Sequence, residues 1–321
     1  MIPPPGVRVT TSGSEVRERA PQAEFVERAR CIACASPDLS ELSRGRFSDQ
    51  PLRAFIEADP WGESPLPHLE QAEWVLVRCR HCEQVFHRRV LSEEWNQRRF
   101  TRWMSAEAIA EFEARLARTQ PGRTFDKARD HVAHVLRLEK LTRSLRDMGP
   151  VRLLDFGCGW GQFLLVCQQF GFDACGVDRS TARAERSLVK ILASLEELAG
   201  RPRFHVITLF EVLEHLDDPA AILRALGEWI VPGGLLVLET PDCAGVTGIR
   251  THDDYLKVHP LDHINAFTHA TLTAIAQRHG FDPISRGVAY VTADRERLVK
   301  AEAKHLLGRD ARSTQLYFRR R

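Results

Sequence analysis

The sequence predicts an α/β chain: an open, mostly parallel sheet flanked by helices, preceded by a small metal-stapled unit and a helical arm. Three observations predict it. The stretch Val151 to Leu165, VRLLDFGCGWGQFLL, reads as a buried strand, a glycine turn and a helix start. From there onward short apolar runs alternate with helical patterns, as a parallel sheet requires. Upstream, two C-x-x-C pairs, Cys31/Cys34 and Cys79/Cys82, have the spacing of metal ligands.

Composition sets the outer bounds. With 321 residues, 43% hydrophobic and 27% charged, the chain has room for a sizeable packed core. A net charge of +2 is too balanced to argue for nucleic acid on electrostatics alone. The N-terminus, MIPPPGVRVTTSGSE, has no apolar h-region, and no later run approaches membrane-spanning length, so a soluble cytoplasmic protein is expected. Four of the eight cysteines form the two pairs; Cys158, Cys167, Cys175 and Cys243 are scattered, a poor disulfide framework.

Taken in order, residues 1–24 are rich in Pro, Ser, Gly and charge and are expected to be mobile. Residues 25–91 form the second segment. Two C-x-x-C knuckles can place four thiolates around one Zn²⁺ as a tetrahedron, holding together a unit of about 60 residues whose own core is too small. The 44 residues between the pairs imply a small β-rich excursion, with EWVLVR, Glu73 to Arg78, as the strand leading into the second knuckle. His68, His81 and His87 lie nearby, but four cysteines already complete a structural shell. Residues 92–148 read as a helical arm interrupted at Pro121-Gly122, after which Val135, Leu138, Leu141, Leu145 and Met148 recur at amphipathic spacing. Arg98, Arg99, Arg102 and Trp103 form a basic, aromatic cluster, read as a solvated helix face with Trp103 in the core rather than as a patch for an anionic substrate.

The final segment, 149–321, carries the chemistry. Gly157, Gly159 and Gly161 follow the acid Asp155 at alternate positions. Glycine here lets the backbone turn sharply and approach a ligand with no Cβ in the way. Gln162 stands where a dinucleotide fingerprint needs its last glycine, which disfavours a nicotinamide oxidoreductase, and no P-loop Gly-Lys-Ser/Thr is present. Asp178 closes the next strand, Ala174 to Val177, placed to accept hydrogen bonds from a ribose diol. Strands are expected near 151–155, 174–178, 189–193, 205–210, 234–239, 284–290 and 314–318. Helices are expected near 161–171, 180–187, 219–231 and 270–279.

The D-x-G-x-G-x-G pattern with Asp178, HVITLFEVLEHLDDP (His205 to Pro219) and PGGLLVLETPD (Pro232 to Asp242) resemble the class I S-adenosylmethionine-dependent methyltransferases. The resemblance implies a Rossmann-like seven-stranded sheet with an antiparallel last strand, and S-adenosylmethionine as cofactor. It implies contacts from Asp155, Gly157, Cys158, Gly159 and Gly161 in the turn and Asp178 on the ribose. Ser194 and Leu195 would lie near the adenine, and Phe210 and Glu211 at the methionine end. The family often places an acid or a backbone amide against the adenine where Ser194 stands here, and commonly has an acid where His205 stands. RCRHCEQVFHRRVLSEEW, Arg78 to Trp95, is similar to the N-terminal zinc module of many bacterial members, which in some relatives sits against the mouth of the cofactor site and helps enclose the substrate.

Methyl transfer to a hydroxyl, amine or activated carbon needs a base. His215, Tyr255, His259 and His263 are the candidates, His263 preferred, because HPLDHINAFT follows the fifth strand on the same sheet edge. Glu211, Glu214, His215 and His263 also resemble the divalent-metal constellation of small-RNA 3′-terminal 2′-O-methyltransferases, with a related one in ubiquinone-pathway O-methyltransferases. Such a set would hold Mg²⁺ or another divalent cation and bind a vicinal diol or catechol. EVLEHL also occurs in methyltransferases without a metal, where Glu214 and His215 cap or orient the following segment. The expected partner is a small-molecule acceptor: a sugar or other hydroxyl, a phenol, an amine or a carbon nucleophile. RNA 2′-O-methylation and a non-catalytic zinc-containing binding protein stand as alternatives.

Overall fold

A computed structural model describes residues 20–306 and 314–321, apart from 288, 290 and 293. Its N-terminal unit contains β1 (Phe25–Glu27), β2 (Leu39–Arg46), β3 (Glu73–Cys79), β4 (Val85–His87) and β5 (Arg89–Leu91). β2, β3 and β4 form an antiparallel meander and β1 pairs with β5. The excursion between the cysteine pairs is not purely β: a helix, Leu52–Ala58, buries Leu52 and Ile56 between β2 and β3. Of the tail expected to be mobile, residues 1–19 lie outside the described residues, while the Ala23 N–H donates to the His68 carbonyl and ties the remainder down.

The large sheet contains β6 (Arg152–Phe156), β7 (Asp173–Val177), β8 (Ile191–Leu192), β9 (Phe204–Phe210) and β10 (Ile230–Glu239). After β11 (Asn265–Ala266) come β12 (Phe281–Ile284) and β13 (Leu316–Arg320). The order across the large sheet is β12-β13-β10-β9-β6-β7-β8, with β13 antiparallel to both neighbours. This is the seven-stranded arrangement expected from the sequence, antiparallel last strand included. Boundaries differ where local pairing decides them. The helix expected over 219–231 ends at Trp229, because Ile230 pairs with Phe204 across a register shift that takes up Pro232-Gly233-Gly234. The strand expected over 284–290 lies earlier, at 281–284, and residues 288 and 290 fall outside the described residues.

Alternation along the strands divides the core into two layers. Leu154, Ile207, Leu209, Leu236 and Leu238 face the helices Pro219–Trp229 and His269–Arg278 through Leu223, Leu226, Leu272 and Ile275. Leu153, Val206, Leu235 and Val237 face the other way, onto Val135 and Leu138 of the helix Pro121–Leu141 and onto Phe163 and Leu164. Each such side chain, fully buried, contributes about 1.5–3 kcal/mol. The first layer is continuous with the N-terminal unit, since Val75, Val77, Phe86 and Cys79 belong to it. β11 pairs antiparallel with β4, so a strand of the C-terminal segment completes the N-terminal unit's sheet. Among the described residues no helix is long and apolar enough to cross a membrane.

Candidate active site

The glycine turn leaves β6 at the C-terminal edge of the parallel strands, where open α/β sheets bind ligands. All three glycines have positive φ: 77° at Gly157, 56° at Gly159 and 73° at Gly161. Their surroundings separate their roles. A Cβ on Gly157 would lie 2.4 Å from Val212 Cγ2, and one on Gly161 2.3 Å from Val189 Cγ2, whereas nothing lies within 4 Å of the position on Gly159. Gly157 and Gly161 serve close packing, and Gly159 leaves open space beside the main chain. The Trp160 indole N–H donates to Glu113 Oε2 at 3.1 Å, on the helix Ala106–Thr119.

Asp178 is 8% exposed and accepts the Gly159 N–H at 2.8 Å and the Ser180 N–H at 2.9 Å, one on each oxygen. The acid that closes β7 therefore braces the glycine turn, and each oxygen keeps a second lone pair. Asp155 is buried and accepts the Thr208 hydroxyl at 2.7 Å. Burial, with the Asp178 charge adding to it, pushes its carboxyl up to about 7. Ser194 and Leu195, half-buried, begin the turn after β8. Cys158 packs against Gly176, where a Cβ would meet its Sγ at 2.3 Å. Phe210, at the end of β9, lies between the His134 ring, 4.6 Å away, and the edge-on Phe163 ring at 4.9 Å.

Immediately after Phe210 the chain makes the polar cluster. Glu214, 1% exposed, accepts no N–H or hydroxyl of another residue on either oxygen, and the Glu211 carboxyl lies close enough to share a proton with it. Ligand atoms of Glu214, His215 and His263 lie within 4.8 Å of one another, and His215 Nε2 is 3.8 Å from Glu214 Oε1. Glu211 is not within that set. Held at φ 56°, it is exposed as a residue, yet protein crowds its carboxyl enough that desolvation and Glu239 push it up to about 7. Glu214 titrates well above the ordinary range through burial, with His215 opposing and Glu211 reinforcing.

Both imidazoles are oriented from behind. His215 Nδ1–H donates to Asp262 Oδ1 at 2.9 Å, and that oxygen also accepts from Arg99 Nη1 at 2.8 Å. Burial lowers the pKa of His215, but the Asp262 and Glu214 carboxylates outweigh it and carry the ring up to about 9. His263 Nδ1–H donates to the Leu256 carbonyl at 2.6 Å, which leaves Nε2 as the acceptor. Desolvation brings His263 down to about 4 despite Asp262, so it is neutral near pH 7.

The other proposed bases are spent elsewhere. His259 Nδ1 accepts the Leu261 N–H, so its Nε2–H donates to Tyr255 Oη at 2.6 Å and towards Asp59 at 3.2 Å, while the Tyr255 hydroxyl donates to Asp59. Tyr255 is fully buried, and burial with Asp59 pushes its hydroxyl far above the usual range. In the basic cluster of the arm, Arg102 is exposed, Arg98 is half-buried and paired with Glu63, and Trp103 is fully buried as expected; only Arg99, 1% exposed, departs from a solvated face. Sequence reading missed Asp262 and the true place of Arg99. The signal for Asp262 was its position beside His263; Arg99 carried none, since its acceptors lie 162 and 163 residues away.

In the N-terminal unit, Cys31, Cys34, Cys79 and Cys82 converge, their Sγ atoms all within 4.8 Å of one another. The pairs Cys31–Cys82 and Cys34–Cys79 are each 3.5 Å apart, close to the edge of about 3.8 Å that a tetrahedron with 2.3 Å Zn–S bonds would have. His68 and His87 take no part: His68 is bonded to Pro21 and Glu63, and His87 to Val258.

A family model described as "Methyltransferase domain" matches residues 98–286. The ubiquinone biosynthesis O-methyltransferase of Alkalilimnicola ehrlichii is 31% identical over 122 residues, 34% of this chain and 49% of that protein. The protein of that name from Bradyrhizobium is 33% identical over 117 residues, 32% of this chain and 45% of the relative. The chain thus spans about half the length of the curated relatives it matches. A solved S-adenosylmethionine-dependent methyltransferase from Archaeoglobus fulgidus is 20% identical, with 58% of this chain and 94% of that chain covered at a TM-score of 0.38. With the family model covering more than half of its residues, the chain belongs to the S-adenosylmethionine-dependent methyltransferases of class I.

Proposed function

We propose that this chain transfers the methyl group of S-adenosylmethionine to a hydroxyl of a small molecule, with a divalent cation held by Glu214, His215 and His263 and bordered by Glu211. The observation that carries this reading is the buried Glu214 carboxyl, which accepts no N–H or hydroxyl of another residue and converges with two imidazoles one strand away from the open side of the glycine turn. Burial and the neighbouring Glu211 make the Glu214 anion costly, and a cation would relieve that cost. The imidazoles fit the role, because each donates its Nδ1–H to an oxygen behind it and is fixed as a metal-ligating histidine is.

S-adenosylmethionine brings a methyl already activated as a sulfonium. The chain has to hold the acceptor oxygen in line, about 3 Å from that methyl, and dispose of its proton. A divalent cation at this edge would lower the hydroxyl's pKa and orient two neighbouring oxygens, which favours a vicinal diol or catechol. Asp178 grips the ribose, Gly159 admits the nucleoside against the main chain, and Phe210 walls the methionine end. The relatives named for O-methylation support an oxygen acceptor. Four thiolates hold a structural Zn²⁺ and leave it no open position.

Labelled methyl transfer to catechols, single phenols and sugars, before and after EDTA dialysis, tests the reading. Catechol methylation that vanishes on dialysis and returns with Mg²⁺ or Mn²⁺ is the expected result. Activity that persists at one zinc per chain would remove the cation and leave the neutral His263 as the general base. For the cofactor, Asp178→Ala should raise the Kd about 10–100-fold, as loss of charge-assisted hydrogen bonds predicts. Equal affinity would take Asp178 out of the site.

A further inference from the structure

Both segments that form the polar cluster are held by arginines from upstream of the sheet domain. Arg28 lies three residues before Cys31. Its guanidinium donates to Asn265 Oδ1 at 2.8 Å and to the Ile264 carbonyl at 3.0 Å. Asn265 is fully buried and passes the contact on: Nδ2 donates to the Leu213 carbonyl at 2.9 Å and the Leu216 carbonyl at 2.7 Å. Those two carbonyls bracket Glu214 and His215. Arg99, from the helical arm, donates to the Leu261 carbonyl and to Asp262, which holds His215 from the opposite side. Between them the His87 N–H donates to the Ile264 carbonyl at 2.9 Å, and its Nε2–H to the Val258 carbonyl at 2.8 Å.

We propose that Arg28 and Arg99 are positioning residues for methyl transfer: one sets the turn 213–216 through Asn265, and the other sets the loop 258–266 through Asp262. On this account the N-terminal unit does more than shield the crevice, because its cysteine knuckle anchors an arginine whose contacts end at the reacting edge. The geometry favours positioning over simple stability. Arg28 is itself held by the His87 carbonyl of its own unit, and beyond that anchor the two guanidiniums converge on the two segments that carry Glu214, His215 and His263. A buried arginine with several main-chain acceptors fixes direction as well as distance. The proposal rests on reading those three side chains as the reacting edge.

The test compares Arg28→Met, Arg99→Met and the isosteric Asn265→Asp with the parent, each as the full chain. Amide hydrogen exchange reads the two segments, calorimetry reads S-adenosylhomocysteine and Mn²⁺ binding, and steady-state kinetics separates kcat from KM. Exchange at 213–216 and 258–266 should rise about tenfold or more, with the rest of the sheet domain and the S-adenosylhomocysteine affinity unchanged. Mn²⁺ affinity and kcat should fall about 10–100-fold, the usual consequence of losing a supporting contact behind a ligand, at constant KM for S-adenosylmethionine. Unchanged exchange in both segments would overturn the proposal. So would a uniform rise across the chain in all three variants, which would make these residues ordinary fold contacts. A parent protein that binds no Mn²⁺ would sink the cation reading alone, and the exchange and kcat results would still decide this one.

Discussion

Asp262 accepts the Nδ1–H of His215 at 2.9 Å, from a position in the sequence 47 residues away. The same oxygen takes the Arg99 guanidinium, and Asp262 titrates well below the carboxylate range: burial opposes its charge, but His215 and Arg99 outweigh burial. The contact fixes the ring with its Nδ1–H on Asp262 and turns Nε2 towards Glu214. Asp262→Asn keeps the shape and removes the anion. We expect kcat and divalent-cation affinity to drop about 10–100-fold, with cofactor binding intact. Parent-level kcat in this variant would show that the carboxylate has no part in orienting His215.

The glycines give a sharper contrast. Gly161→Ala combines a positive φ with a Cβ 2.3 Å from Val189 Cγ2 and should cost about 2–3 kcal/mol of stability. Gly159→Ala meets nothing within 4 Å, so only the left-handed backbone is penalised, at about 1 kcal/mol. Its methyl does enter the space that the nucleoside is proposed to approach. Denaturant unfolding beside calorimetry should therefore find Gly161→Ala mainly unstable. Gly159→Ala should be mainly deficient in S-adenosylmethionine binding, by about tenfold or more. Parent affinity in Gly159→Ala would place the ligand elsewhere.

The contrast also marks how far the sequence could be read. Strand, glycine turn and helix are local features, and the alternation of Leu153 with Leu154 or Val206 with Ile207 is periodic, so sheet and crevice were legible from spacing. Glu214, His215 and His263 were legible through their motif. Their supports were not. Arg28 reaches Asn265 across 237 positions, and Asp59 reaches His259 across 200. No periodicity or spacing encodes such contacts, and they arise only once the N-terminal unit packs against the later segment. For the same reason Arg99 looked like part of a solvated face: composition shows its charge, whereas its buried acceptors, Leu261 and Asp262, lie in another part of the chain.

The cysteine knuckles make a prediction about stability and composition together. The parent should carry one zinc per chain by native mass spectrometry, and Cys79→Ser should carry little. Because Cys31 and Cys79 pack in the same core layer as Leu223 and Leu236, loss of the metal should be felt beyond the N-terminal unit. A fall of about 5–10 °C in Tm is expected, on the scale of a few kcal/mol in a chain of this size. A metal-free parent with the same Tm as the variant would leave the four thiols as core side chains only.

Asp155 links the cofactor crevice to pH. Its folded pKa of about 7 lies above the unfolded carboxylate value near 3.8. Between those values the folded state binds more protons than the unfolded state, so this group's contribution to stability falls as pH rises from about 4 to 7 and then levels off. The carboxyl is 3% exposed, so solvent does little to screen the effect, which is on the order of 2–4 kcal/mol across the window. Asp155→Asn retains an oxygen for the Thr208 hydroxyl and cannot ionise. We expect the variant to gain on the parent as pH rises from 5 to 8 in paired denaturant titrations. Parallel stability curves for the two proteins would mean that Asp155 is already ionised in the folded chain, and that Thr208 and the surrounding dipoles suffice to hold the charge.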